Sequence, residues 1–372
     1  MKVKELWRVK YIDSILGIEL GDINNNGQKE IIAYSKTGKI LIISLEGKIL
    51  REEQISENSS IWQTHIYDID NDGKKEIILV GIDGVLRSFS CDITYNLNLL
   101  WSHQFGASIS GVLIDDINND GLDNIIAFSL DKTIRVLNPL EGSLVWGQVF
   151  RDGIEDAIIW SEINGFRNKE LIACGNDGTI RVFNGKSGEL SWFKQFSNKV
   201  RCITTLKSNL GNLVICGGDD KLLHFIDKSS HEEIKSMKFN DYVWNCKSFP
   251  SNVYNKLIVS TYSFAYFNNS IPNEKISFTS KLVYLDEYLV QKWELKNKNI
   301  EAIHIVKKNK RNLIFLGTTM GELIIMDEIT GKILLNIKYK SCLNAIKYCL
   351  NLNIIIACHD NGTIFAYFLE ES

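Results

Sequence analysis

One unit recurs along this chain, and that recurrence limits what the chain can fold into. Each copy reads as an apolar run, a polar turn, a second apolar run, a tight turn, a third alternating run and a closing segment. Seven tight turns are plain: KTGKILIISL, IDGVLRSFS, LDKTIRVLN, NDGTIRVFN, DDKLLHFID, MGELIIMDE and DNGTIFAYF. Gly, Asp and Asn there supply the positive φ angles that short hairpins need. Counted at Gly38, Gly84, Lys132, Gly178, Lys221, Gly321 and Gly362, successive spacings are 46, 48, 46, 43, 100 and 41 residues. The spacing of 100 conceals an eighth copy, KLIVSTYSFAYF followed by ISFTSKLVYLDE, whose middle strands flank a longer connection.

Four short strands repeated at such spacings predict the blades of a β-propeller. The fourth strands read KILREEQ, LLWSHQF, LVWGQVF, LSWFKQF, EIKSMKF, VQKWELK and KILLNIKY, while the last copy stops after its third. The segment ELWRVKYI, residues 5–12, has the same pattern and precedes the first copy. It is expected to complete the last blade, which removes the bare edges an open array would leave. The expected fold is therefore all-β, a single eight-bladed β-propeller of four-stranded blades over residues 1–372. Its blades are placed at 13–55, 56–106, 107–151, 152–197, 198–240, 241–297, 298–340 and 341–372. Seven blades with a stray hairpin, or two separate sandwiches, are the competing architectures. Alternation in the third strands (Ile134 and Val136 against Thr133 and Arg135) fits a sheet with unlike faces.

Composition narrows the function classes. Lys and Arg number 42 against 45 Asp and Glu, a net charge of −3, which gives no pull toward nucleic acid or an anionic membrane. Glu5, Arg8, Lys10, Asp13 and Glu19 break up any apolar leader, and no uncharged apolar run is long enough to span a bilayer. The eight cysteines include no CxxC, and Cys174, Cys216 and Cys358 sit in apolar runs. Reduced thiols and a cytoplasmic location are the expectation.

Between first and second strands, three copies carry a patterned acidic turn. Copy one places Asp22, Asn24, Asn26 and Glu30 at turn positions one, three, five and nine; copy two places Asp68, Asp70, Asp72 and Glu76 there; copy three places Asp116, Asn118, Asp120 and Asn124. Gly27, Gly73 and Gly121 stand at position six. Oxygen ligands on alternate residues with a glycine bend are what a hard cation requires, so Ca²⁺ is the expected ion. Copy two ranks first because all four ligand positions are carboxylates. Copy four keeps only Glu162 and Asn164, with Phe166 and Arg167 breaking the scheme. The same residue types also build metal-free Asx-turns, and that alternative stays open.

These turns resemble the FG-GAP repeats of integrin α-subunit propellers, which follow D-x-D/N-x-D/N-G-x-x-D. The stretches GDINNNGQKEIIAYSKTGKI, YDIDNDGKKEIILVGIDGVLRSF and DDINNDGLDNIIAFSLDKTIRVL are most similar to the intracellular relatives, such as propellers of the Bardet–Biedl trafficking complex. The tails NPLEGSLVWGQVF, NGKSGELSWFKQF and DEITGKILLNIKY are similar to the PQQ-type repeat. The resemblance implies structural Ca²⁺ in blades one to three and a platform for protein partners in trafficking or signalling. This sequence departs from the scheme at position nine, where Glu or Asn replaces the usual Asp.

The PQQ-like tails raise a quinoprotein oxidoreductase as the rival reading, which the lack of a vicinal Cys-Cys pair opposes. The six histidines have no metal-ligand spacing, and no phosphate loop or nucleophile motif is present. A non-catalytic scaffold is expected, with a small-ligand or peptide sensor at the channel mouth as the further alternative. Partner contacts are expected from Trp62, Tyr242 and Trp244, which precede or open first strands. Residues 261–282 lengthen one hairpin, and Phe264, Tyr266 and Phe267 give it an apolar side suited to docking.

Overall fold

A computed structural model describes residues 1–161, 169–250, 254–264, 279–308 and 311–370. Its strands form eight separate four-stranded sheets, and seven of them take their strands in simple chain order. Blade one is Ile15–Gly21, Glu30–Ser35, Lys39–Ser44 and Ile49–Gln54. Blade two is Ile61–Tyr67, Glu76–Gly81, Val85–Cys91 and Leu97–Gln104, and blade three runs from Ile109 to Val149. Blades four to seven start at Ile154, Val200, Tyr242 and Ile300. No helix among the described residues is long and apolar enough to cross a membrane.

The eighth sheet joins the two ends of the chain. Leu343–Cys349, Ile354–His359 and Thr363–Glu370 supply three strands, and Lys2–Lys10 adds the fourth. The pairing is antiparallel, with Trp7 opposite Ala366, Arg8 opposite Phe365 and Val9 opposite Ile364. The strand runs from residue 2 to 10, against the 5–12 read from the sequence. Lys2 and Lys4 belong to it because an outermost strand tolerates outward charge.

Compactness divides the chain into two units, Met1–Asp116 with Asp120–Gly147 and Glu301–Ser372 in one, and Ile117–Asn119 with Gln148–Ile300 in the other. Within each, the core lies between successive blades. In the first unit, Ile18, Ile31 and Leu41 of blade one pack with Ile356, Ile364 and Ala366 of blade eight. In the second, Leu213, Phe225 and Leu223 of blade five pack with Val243, Leu257 and Val283 of blade six. Second strands such as Glu30–Ser35 and Glu76–Gly81 are buried along their whole length, as strands sandwiched on both faces must be. The fourth strand Ile49–Gln54 is mostly exposed or half-buried.

A recurring tie holds the tight turns. Asp131 Oδ1 accepts from the Thr133 amide (2.9 Å) and hydroxyl (2.6 Å), while Oδ2 accepts from Arg135 Nη2 (3.1 Å) and the Gly106 amide (2.9 Å). The Arg135 guanidinium then lies 4.2 Å from the Phe105 ring centroid. Asp177, Thr179, Arg181 and Phe150 repeat this set in blade four, and Asp83 with Arg87 repeats its ion pair in blade two. In blade five His224 takes the arginine's place, with Nε2 2.9 Å from Asp220 Oδ2 and its ring against Phe196. The residue after the aspartate is left-handed in every case (Gly84, Lys132, Gly178, Lys221), and an added Cβ at Gly178 would meet Asn198 O at 2.8 Å.

Joints between blades are matched in volume. Where the earlier outer strand carries Trp7 or Trp101, the next turn between third and fourth strands has a left-handed glycine, Gly47 under Trp7 and Gly142 under Trp101, whereas Trp192 stacks on the left-handed His231. The first two indole N–H groups also donate to those turns, Trp7 to Leu45 O (2.6 Å) and Trp101 to Pro139 O (2.8 Å). Blades one and five have no Trp on their outer strands, and there the following turns carry Tyr95 and Leu289 at the same left-handed position.

First strands exchange polar bonds with their neighbours. Gln63 Oε1 accepts from the Val112 amide (3.0 Å), Asn344 Nδ2 donates to Ile15 O (2.8 Å), and Lys347 Nζ donates to Glu19 Oε2 (2.6 Å). In blade four Asp156 accepts from the Ile203 amide at 3.0 Å and from the Ala157 amide at 2.9 Å. Enclosure by protein atoms pushes its carboxyl up to about 7, despite those bonds and the Lys247 charge. A folded-state value above the unfolded one means that this contribution to stability is full below about 4 and is lost as pH rises through 7. The unfolding free energy of Asp156→Asn should therefore gain on the parent by up to about 1.4 kcal/mol per pH unit between pH 4 and 7. Urea titrations at several pH values measure that difference, and parallel curves would refute it.

Candidate functional site

The acidic turns share one backbone course. Asn25, Asn71 and Asn119 at position four are left-handed (φ 59°, 60° and 57°), and Gly27, Gly73 and Gly121 follow at φ 85°, 87° and 94°. Nothing lies within 4 Å of a Cβ added at these glycines, so backbone conformation rather than space requires them. Ile23, Ile69 and Ile117 at position two are buried and anchor each turn. In blades one and two the position-nine glutamate folds back onto the turn: Glu30 accepts from the Ile23 amide (3.2 Å) and Glu76 from the Ile69 amide (3.0 Å).

The turns differ in how their ligand oxygens are used. In blade one both oxygens of Asp22 are occupied, by the amides of Asn26 (3.1 Å) and Gly27 (2.9 Å). Blade three repeats this, Asp116 accepting from Asp120 and Gly121 at 3.0 Å each. Its position-nine Asn124 is buried, neutral, and leaves Oδ1 without a partner, while Asn118 stands half-buried.

Blade two is otherwise arranged. Asp68 Oδ2 accepts from the Gly73 amide (3.0 Å), but its Oδ1 is buried without any hydrogen-bond partner. Asp68, Asp70 and Glu76 each bring one carboxylate oxygen within 4.8 Å of the others, the single such cluster among the described residues. Oxygens around an ion bound at 2.3–2.6 Å lie at most about 5 Å apart, so the set fits Ca²⁺. Asp72 stands outside the cluster, accepting from the Lys74 amide at 2.7 Å and facing the Lys74 ammonium at 3.5 Å. Burial, and then the charges of Asp70, Asp72 and Asp68, push the Glu76 carboxyl up to about 7. The turn of copy four, 162–168, lies outside the described residues.

The aromatic candidates separate. Tyr242, Trp244 and Phe264 converge with Tyr262 in one patch on blade six. Phe264 lies 5.7 Å from both Tyr242 and Trp244 and 5.2 Å from Tyr262 between ring centroids. Tyr242, Trp244 and Phe264 stay half-exposed, and cations sit over two rings: Arg201 at 4.9 Å from Trp244 and Lys221 at 5.5 Å from Tyr242. Arg201 is itself fixed by Asp219 through paired bonds. Ser263 and Thr279 are each tied to a neighbouring residue. The buried Asn299 amide bridges the Ser263 N–H (3.0 Å) and C=O (2.9 Å), and Thr279 donates to Asp241 (2.9 Å). Tyr242 and Trp244 lie inside the strand Tyr242–Phe249 rather than before it. Trp62 belongs to the other unit, where its indole donates to Ile109 O (2.7 Å) and packs on the core between blades two and three. Tyr266 and Phe267 fall outside the described residues.

Sequence reasoning missed Tyr95 and the aspartate–arginine ties. Asp-x-Thr-x-Arg reads as ordinary turn polarity, and only its return in two turns, with Asp-x-x-x-Arg in a third, could have marked it.

A family model described as the lambda-carrageenase β-propeller domain matches residues 140–264. No curated protein matches the chain. Among solved structures, Sqt1 from Saccharomyces cerevisiae is similar over 100% of both chains, with a TM-score of 0.75 at 11% identity. BamB from Moraxella catarrhalis covers 99% of this chain and 100% of its own (TM-score 0.65, 14% identity), and the computationally designed protein Ika8 covers 98% and 99% (0.68, 15%). At these identities the likeness shows the fold, which is that of a β-propeller.

Proposed function

We propose that this propeller is a non-catalytic scaffold that docks a protein partner on the aromatic patch of blade six, with a structural Ca²⁺ in the turn of blade two. The patch carries the docking reading. Tyr242 and Trp244, each packed on Phe264 and beside a cation, form a preformed anchor surface at little entropic cost. The interior supports a non-catalytic role, since Gln63, Asn344, Asp156 and Lys347 are committed to neighbouring strands. The eight cysteines are free and six are buried, which suits the reducing cytoplasm.

Replacing Trp244 and Phe264 together by Ala should remove stoichiometric partners from an affinity purification and weaken any isolated one by about thirtyfold or more. The melting temperature should stay near that of the parent, because both rings are half-exposed. Retention of every partner by the double variant would refute the docking reading.

A bound Ca²⁺ in blade two would offset the repulsion among Asp68, Asp70 and Glu76 and give the orphaned Asp68 oxygen a partner. Calorimetric titration should show one equivalent of Ca²⁺, with a rise in melting temperature. Both should vanish in Asp68→Asn combined with Asp70→Asn. A titration without heat in the parent would refute the metal reading.

A further inference from the structure

Another part of the chain reaches the acidic turn of blade one. Tyr95 enters it from the turn between the third and fourth strands of blade two, 65 residues away. Its hydroxyl donates to Glu30 Oε1 at 3.4 Å and lies on the side of Asn24 and Asn26. Those three residues are positions nine, three and five, the places from which a cation would be held.

Three observations make this more than a chance approach. Tyr95 is left-handed at φ 67°, where blades one and three have Gly47 and Gly142, so its backbone is strained to bring the ring here. Its ring packs in the core between blades one and two, with Ile23 of the same turn and Phe89. The asparagines also offer a cation less than aspartates would. Asn24 Oδ1 accepts from the Asn26 amide (3.3 Å), and Asn26 Oδ1 accepts from the Gln28 amide (2.7 Å). Each asparagine has a single oxygen, already shared with a backbone amide, and an NH₂ that suits a phenol oxygen and repels a cation. In blade two the same backbone bonds fall on Asp70 and Asp72, whose second oxygens remain acceptors.

We infer that the Tyr95 hydroxyl is the built-in partner of the blade-one turn, standing where Ca²⁺ would otherwise bind, so that this turn takes no cation despite its matching spacing. The inference uses the blade-two reading above only for contrast.

The test is a calorimetric Ca²⁺ titration of the full chain, with stoichiometry counted relative to the parent. Asn24→Asp with Asn26→Asp, with Tyr95 retained, should bind no more Ca²⁺ than the parent. Adding Tyr95→Gly to that pair should raise the stoichiometry by one equivalent. A gained equivalent with Tyr95 still present, or none after its removal, would overturn the assignment. Tyr95→Phe supplies a milder measurement, keeping the ring and deleting the hydroxyl. Amide exchange at Asn26, Gly27 and Gln28 should accelerate about tenfold or more, and unchanged exchange there would equally overturn it. A parent that binds no Ca²⁺ at all would sink the blade-two reading and leave these comparisons intact.

Discussion

A chain lacking residues 1–10 is expected to lose its cooperative melting transition and to associate. The deletion leaves Thr363–Glu370 as a bare edge and uncovers Ile364, Ala366 and Leu369, which are buried in the intact protein. An unpaired apolar edge is a template for pairing with another chain. Differential scanning calorimetry and size-exclusion chromatography measure the two effects. A peptide spanning residues 1–12, supplied in trans, should restore part of the transition. Within the strand, Trp7→Ala should cost about 3 kcal/mol in urea unfolding, because the indole fills the space over Gly47 and binds Leu45 O. A truncated chain that melts as sharply as the intact one would refute this account of chain closure.

Asp177→Ala should be nearly as damaging, at about 3 kcal/mol. One carboxylate, its side chain only 3% exposed, serves the Thr179 amide and hydroxyl, the Arg151 amide and the Arg181 guanidinium. Removing it strands a half-buried Arg181 cation over Phe150, where the ring alone compensates poorly. The effect should be strongly non-additive with Arg181→Ala in a double-mutant cycle, since both act on one tie. Glu5→Ala, which breaks the exposed Arg8–Glu5 pair, should leave the unfolding midpoint unchanged. Equal effects at the two sites would show that burial is not what gives the Asp177 tie its weight.

The blade repeat was legible because it is written in local terms. Glycines, aspartates and asparagines mark the hairpin turns, and alternation marks the faces of each strand. The closing strand was legible too, since Trp7 repeats the pattern of Trp101 and Trp146. The site was only partly so. Ligand type ranked the blade-two turn first, and the carboxylate cluster falls there. What the sequence hides is how each oxygen is already committed: Asp22 and Asp68 are the same residue at the same turn position, yet only Asp68 keeps a free oxygen. Tyr95 was hidden for another reason. Its partner lies in a different blade, and no local pattern relates a tyrosine to a glutamate 65 residues earlier.

The matched volumes at the blade joints also bear on how such a chain avoids folding errors. Copies that look alike invite docking out of turn, a characteristic failure of repeat proteins. Here the joints on the two sides of blade one are keyed differently. A turn bearing Tyr95 set against Trp7 would collide with the indole, and a turn bearing Gly47 set against the outer strand of blade one would leave a hole. Fit alone thereby tells these two joints apart.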